Sequence, residues 1–342
     1  NTNYRPGVFC DYLITTSQKN SQGKPIGIIA NSSITANNNK IKKFTNINQA
    51  LIDYADENGV LDFLRTITQN CNSEIFIVSV DNTSQNKTKL YKDAFDLLFN
   101  NNDIYCVVSD FVNQEMLTHI KTKFAENRAI SKIFACNFSD INNDIQVVKS
   151  LNCERICIAA PAFFRPLCST NVACAALIAI LARTTLPISN CVGESVIGEH
   201  VCSVNLSETQ KQLFIESGIS SFEEIGGKYE LIRGVTSRAQ NENGDFSSTY
   251  RNIGVVTGLD FVLSQLKIAI SKRLKNGGSS LNTLSSIIIC ELLKLRSKQI
   301  ITDYSKPIIT QSKTDLSSCQ AEIFIQLQQN INRVELKLNF NI

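Results

Sequence analysis

The sequence has no tryptophan, a single methionine (Met116) and only two histidines, His119 and His200. One methionine leaves little material for a promiscuous groove that re-packs around different partners, which relies on flexible thioethers. Net charge is equally scarce: 34 Lys plus Arg stand against 31 Asp plus Glu, a formal balance of +3. A polyanion binder needs a concentrated basic face. The basic stretches here are short, Lys40 with Lys42 and Lys43 and then Lys267 to Lys275, and each reads as solvated surface. Long hydrophobic runs are also missing. The longest, "VACAALIAILA" from Val172 to Ala182, ends at Arg183. It falls short of the about 20 residues that span a bilayer, and reads as a buried core helix.

Catalytic patterns are missing as well. "GKPIG" (Gly23 to Gly27) lacks the glycine spacing of a phosphate loop, and Gly277-Gly278 reads as a linker before a helix. His200 and Cys202 could share one face of a strand, but no second ligand pair accompanies them. Cys153 and Cys157 in "CERIC" have no partner pair either, and core packing is the better reading. "VGESVIG" lacks the spacing of a nucleophile elbow, and Glu194 and Glu199 could meet only by accident of folding. The sequence therefore offers no catalytic residues, no metal site and no cofactor site.

What is present is ordinary globular material: 342 residues, 43% apolar and 19% charged, enough for two or three domains. The 12 cysteines do not read as a disulfide framework. Cys106, Cys136, Cys157, Cys174 and Cys290 sit inside apolar runs, where a free thiol packs as a small hydrophobe. With no signal peptide evident, reduced thiols in a chain made in the cytoplasm are expected.

Along the chain, Pro6-Gly7 marks a turn, and Val8 to Ile14 reads as an extended arm. Strands at Ile26–Ala30, Ser73–Asp81, "DIYCVVSD", "SKIFACN" and "ERICIAAP" then alternate with helical patterns. That alternation predicts an α/β layer with a mostly parallel sheet. The helix "NKTKLYKDAFDLLFNN" is expected to bury Leu90, Ala94, Leu97 and Leu98. After about residue 190 the elements shorten. Ser207, with Gln210 three residues on, predicts a capping box, and Gly218 a helix end. "KYELIRGVTS" reads as a strand, and two late helices follow. The terminal run alternates Val334, Leu336, Leu338, Phe340 and Ile342 against polar residues, a period of two. Both ends could therefore pair with another chain through open strand edges.

Several strings, in order, resemble the contractile tail sheath family of bacteriophages and R-type bacteriocins. The opening "YRPGVF" (Tyr4 to Phe9) is similar to that family's N-terminal signature. "NLSETQKQLFIESGISSFEEIGGKYELIRGVTS" resembles its segment with an Arg-Gly-x-Thr run, here Arg233, Gly234, Val235 and Thr236. "YRNIGVVTGLDFVLSQLKIAISKRL" resembles the next segment, a helix entered from Asp260. "LSSIIICELLKLRSKQIITDY" resembles the late helix with its exit at Asp303-Tyr304, and "INRVELKLNFNI" the terminal strand. The composition suggests the smaller sheaths of Gram-positive phages or diffocin-like particles.

The resemblance implies an α/β plus α+β fold with a sandwich-like middle region. It implies a linking arm over 1–20, an α/β domain over 21–190, an α+β sheath domain over 191–332 and a linking strand over 333–342. Inter-subunit arm contacts would fall on Tyr4, Arg5, Pro6, Gly7, Val8, Phe9, Tyr12, Ile14, Val334, Leu336, Leu338, Phe340 and Ile342. The implied partners are further copies in helically stacked hexameric rings, an inner tail tube, and baseplate and tail terminator proteins. Direct nucleic-acid contact, stable membrane association and cofactors are not expected. Such a chain would be made in a bacterial host's cytoplasm and leave in a phage tail or bacteriocin particle on lysis. Two other readings are a small-molecule enzyme, with polar groups converging near Asp81, Asp110 and Asn137, and a non-contractile self-assembling virion protein.

Overall fold

The computed structural model describes residues 23–32, 39–45, 47–54, 59–81, 85–127, 131–137, 141–202, 204–241, 243–244, 250–275, 280–311, 313 and 319–328. The predicted arms, with every arm residue named above, lie outside these. In chain order the first elements are β1 (Gly23–Asn31), β2 (Ile41–Phe44), α1 (Ile47–Asp53), α2 (Val60–Asn70), β3 (Ser73–Val80), α3 (Lys87–Asn100), β4 (Cys106–Ser109), α4 (Gln114–Glu126), β5 (Ile133–Cys136), α5 (Ile141–Leu151), β6 (Ile156–Ala160), β7 (Phe163–Phe164) and α6 (Ala173–Arg183). They are followed by β8 (Glu194–Ser195), β9 (Val201–Cys202), α7 (Glu208–Glu216), β10 (Ile219–Ile225), β11 (Lys228–Arg233), α8 (Ile253–Lys275), α9 (Leu281–Ser297), β12 (Ile301–Tyr304), β13 (Ile308–Gln311), β14 (Cys319–Glu322) and β15 (Ile325–Leu327).

One sheet of nine strands organises the first two thirds, in the order β2-β3-β1-β4-β5-β6-β10-β11-β8. Strands β3, β1, β4, β5, β6 and β10 run parallel, as the buried apolar strands predict. β2, antiparallel to β3, closes one edge; at the other, β11 runs antiparallel to β10 and β8 antiparallel to β11. The sheet does not stop at residue 190, where the sequence suggests a boundary. Ile219 pairs with Ile158 across it, so β10 and β11 extend the α/β layer. The signal for β10, "ISSFEEI", is weak because its polar serines, Ser220 and Ser221, are buried.

Alternation along the strands builds two cores. Ile26, Ile28 and Ala30 face α1, α2 and α6, whereas Ile29 faces α3, α4, α5 and α7. Helix α6 is buried from Ala173 through Ala182, as expected of a helix apolar all round. The stripe on α3 differs from the expected one. Tyr91, Ala94, Phe95, Leu98 and Phe99 are buried, while Leu97 is exposed. Phe95 sits edge-on to Phe134 at 5.6 Å and so turns the helix by about one residue from the leucine stripe. Helix α7 carries the predicted capping box, and Gly218 follows it with φ +88°, where a Cβ would lie 2.7 Å from the Thr236 carbonyl.

Of the five cysteines placed in apolar runs, Cys106, Cys136, Cys157 and Cys174 are buried. Cys290 is the exception: it lies on the outer face of α9, exposed. Its neighbours Ile288 and Leu292 are the residues that point inward.

A third core joins the C-terminal half of α8 to α9 and to two small sheets, β12–β15 and β13–β14. Val262, Leu266, Leu284, Ile288, Leu292 and Leu295 fill it. Helix α8 has 23 residues, about 34 Å at 1.5 Å each. Its segment Ile253–Arg273 is long and apolar enough to cross a bilayer by composition alone. Here Ile253 packs on the α/β layer at one end and Val262 and Leu266 pack on α9 at the other.

Candidate assembly surface

The Arg-Gly-x-Thr run is a junction. From Arg233 the chain leaves the sheet and passes under the start of α8. The Gly234 N–H donates to the Asn190 carbonyl at 2.7 Å, and the Asn190 side-chain oxygen accepts the Gly254 N–H at 3.0 Å. Val235 bridges Asn252, and its N–H donates to the buried Ser220 hydroxyl at 2.9 Å. The Thr236 N–H donates to the Arg251 carbonyl and its hydroxyl to the Tyr250 carbonyl, both at 2.8 Å. Ser237 ties the run to β6 through the Ile156 and Cys153 carbonyls. Arg233 donates to the Asn252 side chain, and burial with the nearby Arg251 charge lowers its pKa. Buried backbone groups must find partners, and at Gly234 a Cβ would lie 2.7 Å from an Ile253 methyl.

Asp260 does not open its helix. Helix α8 begins at Ile253, and Asp260 lies two turns inside it. Its carboxylate takes both Arg155 guanidinium nitrogens, at 2.5 and 2.8 Å, and the Tyr105 hydroxyl at 3.1 Å. Asp260 is 4% exposed and Arg155 12%. Burial, then the Asp260 charge, pushes the Tyr105 hydroxyl well above its usual pKa. On the turns before it, Gly254 and Gly258 let α8 approach the chain at Ile188. A Cβ on Gly254 would lie 2.1 Å from the Ile188 carbonyl oxygen, and one on Gly258 2.8 Å from an Ile188 methyl. The sequence reading missed Arg155, Tyr105, Gly254 and Gly258. The "GVVTG" spacing, two glycines on one helix face, was the available signal for the last two.

Asp303 and Tyr304 are elsewhere, on β12. Asp303 is exposed opposite Gln326, and Tyr304 packs on the third core. The family-motif residues thus form a junction and a separate strand, with no common cleft. Among the described residues, β12 pairs only with β15, and β13 only with β14. On the elements that pack around the third core, Leu263, Ile268, Leu293, Ile308 and Phe324 are exposed, as are Lys267, Lys272, Arg273, Lys294 and Arg296.

Most polar groups of the enzyme-like groupings bond to neighbours in the fold, while the buried His200 Nε2 has no hydrogen-bond partner among the described residues. At the crevice between β1 and β4, Asp110 accepts the Asn31 N–H at 2.8 Å and the Tyr91 hydroxyl at 2.7 Å; its pKa is raised by burial. Asn137 is bonded to the Cys174 N–H and the Asn171 carbonyl, and Asp81 lies at the end of β3. Glu194 pairs with Arg183 at 2.8 Å, while Glu199 is exposed. His200 bonds the Gly198 carbonyl and packs edge-on to Phe163, its pKa lowered by burial. The Cys202 thiol donates to carbonyls at Ala162 and Val204. Burial pushes the Cys153 thiol up to about 11 and Cys157 well above its usual value, which disfavours the thiolate in both. Among the described residues no group of three or more His, Cys, Asp or Glu could hold a metal.

No family model matches the sequence, and no curated protein matches it. Solved structures do. A chain of the six-fold symmetrised baseplate of the anti-feeding prophage is 13% identical with a TM-score of 0.72, covering 100% of both chains. The helical sheath of the same particle in its contracted state is 13% identical with a TM-score of 0.68, covering 99% of this chain and 100% of that one. A sheath tail protein of Listeria innocua is 6% identical with a TM-score of 0.70, covering 90% and 93%. The chain has the fold of contractile sheath proteins along nearly its whole length.

Proposed function

We propose that this chain is the repeating structural subunit of a contractile tail sheath and not an enzyme. The observation that carries the reading is the full-length match to a helical sheath in its contracted state. It is supported by the strand ends, where Asp110 accepts the Tyr91 hydroxyl and Asn137 accepts the Cys174 N–H. In this reading copies stack as six-membered rings around an inner tube, and a baseplate triggers contraction that drives the tube through a target envelope. The arms 1–20 and 333–342 cross to neighbouring copies and add strands to the small sheets formed by β12–β15 and β13–β14. Each added backbone hydrogen bond contributes only about 0.5–1.5 kcal/mol, but an arm supplies several in a row. The basic, part-apolar face of α8 and α9 faces the tube. The energy of contraction is a difference in contact free energy between two lattices, so no nucleotide is required.

The test is electron microscopy of the purified chain under negative stain. Wild type forms long tubes or stacked rings. Chains lacking Asn1 to Thr15, or Arg333 to Ile342, remain soluble monomers. Identical polymers from the truncated chains would remove the arm mechanism, and wild type that never polymerises would remove the sheath reading itself.

A further inference from the structure

Leu167 is 108% exposed and has φ +64°. Both features are unfavourable for leucine: the left-handed region crowds its Cβ, and its apolar surface faces water. The conformation is nevertheless built in. Arg165-Pro166-Leu167-Cys168 is a turn closed by the Cys168 N–H on the Arg165 carbonyl at 3.0 Å, and Pro166 presets its second residue. Arg165 anchors the turn through its side chain on Gln69 at 2.7 Å. The third turn position favours glycine or asparagine, yet leucine stands there.

More apolar surface lies alongside. Ile197 is 57% exposed and bonded through its backbone to Asn70, next to Gln69; Val201 is 58% exposed and pairs with Phe164 on β7. Among the described residues nothing covers Leu167. We propose that Leu167 is an inter-subunit knob, seated with Ile197 and Val201 on a second copy of this chain. The inference rests on the proposed sheath function, in which every subunit is surrounded by identical copies. It adds a side-chain contact on the α2/α6 face of the sheet, apart from the arms and from α8 and α9. Backbone strand addition gives strength without choosing an orientation, whereas a rigid apolar knob fixes how neighbours face one another.

The test compares Leu167→Asn and Leu167→Met with wild type, measuring the unfolding midpoint of the monomer and the critical concentration for assembly. Asparagine accepts the left-handed conformation, so its midpoint stays within about 2 °C of wild type. Losing one buried leucine raises the critical concentration at least about tenfold, and methionine restores it to within about threefold. Wild-type behaviour of Leu167→Asn in assembly overturns the knob while leaving the sheath reading intact. A large fall in its unfolding midpoint also overturns it, because the side chain would then serve the monomer. Wild type that never assembles overturns both.

Discussion

Replacing Asp260 by Asn tests whether the contact between α8 and the sheet is a pinned joint. The substitution keeps the shape and removes the charge. Arg155, 12% exposed and bonded through two nitrogens, then faces an amide whose NH2 cannot accept. Tyr105 loses a charged acceptor as well. Breaking a buried pair by removing one partner costs about 3–5 kcal/mol. One amide oxygen remains to accept, so about 3 kcal/mol is expected, a fall of roughly 4 °C in the unfolding midpoint for a chain of this size. Urea denaturation of the monomer gives the free energy, and amide exchange gives the location: protection should fall at Ile253–Asp260 before it falls in α3. The pair Arg155→Met with Asp260→Leu removes both charges together and should cost less than either charge-removing single change. A cost under about 1 kcal/mol for Asp260→Asn, or a double change equal to the sum of the singles, would refute the pinned joint.

Gly254→Ala should destabilise the monomer by more than about 2 kcal/mol in urea, although alanine favours helix by about 1 kcal/mol, because the added carbon meets the Ile188 carbonyl at 2.1 Å. Lys132, buried and donating to the Leu98 and Asn101 carbonyls at the end of α3, has its pKa pushed down to about 8 by burial. Its folded value is below its unfolded one, so the unfolded chain binds more protons between pH of about 8 and about 10.4, and stability gains with rising pH across that window. The difference in unfolding midpoint between wild type and Lys132→Met, followed from pH 7 to 10, should therefore move in favour of wild type; no movement removes the assignment. Ser207→Ala should cost about 1 kcal/mol through loss of the capping box, read by urea denaturation, and leave the capping of α9 by Ser280 unchanged.

The α/β alternation was legible because each parallel strand is apolar on both faces and each helix has its own breaker. The cap at Ser207 was legible because its chemistry is local. Long-range effects were not. Leu97 loses its place inside α3 to Phe95 and Tyr91, a choice made by Phe134 and Asp110 on other strands. The resemblance placed Asp260 at a helix start, whereas it lies inside α8 and its partner Arg155 is 105 positions away. The sheet crosses residue 190 because β10 pairs with β6, and such pairing leaves no mark in local periodicity. Of the site, the sequence supplied strings by resemblance alone. It did not show that Arg233, Gly234 and Thr236 serve as a joint while Tyr304 serves a separate core.

The edges of the nine-stranded sheet bear on solubility before assembly. One edge is β2, four residues long, with Lys42 paired to Asp53 and Lys43 to Glu74; the other is β8, only two residues. Short, charged edges make poor templates for a foreign strand. In the proposed sheath, where neighbouring copies exchange strands, random sheet-to-sheet joining is a hazard before assembly. There the edges of the largest sheet insulate it, and pairing with other chains would fall to the small sheets β12–β15 and β13–β14.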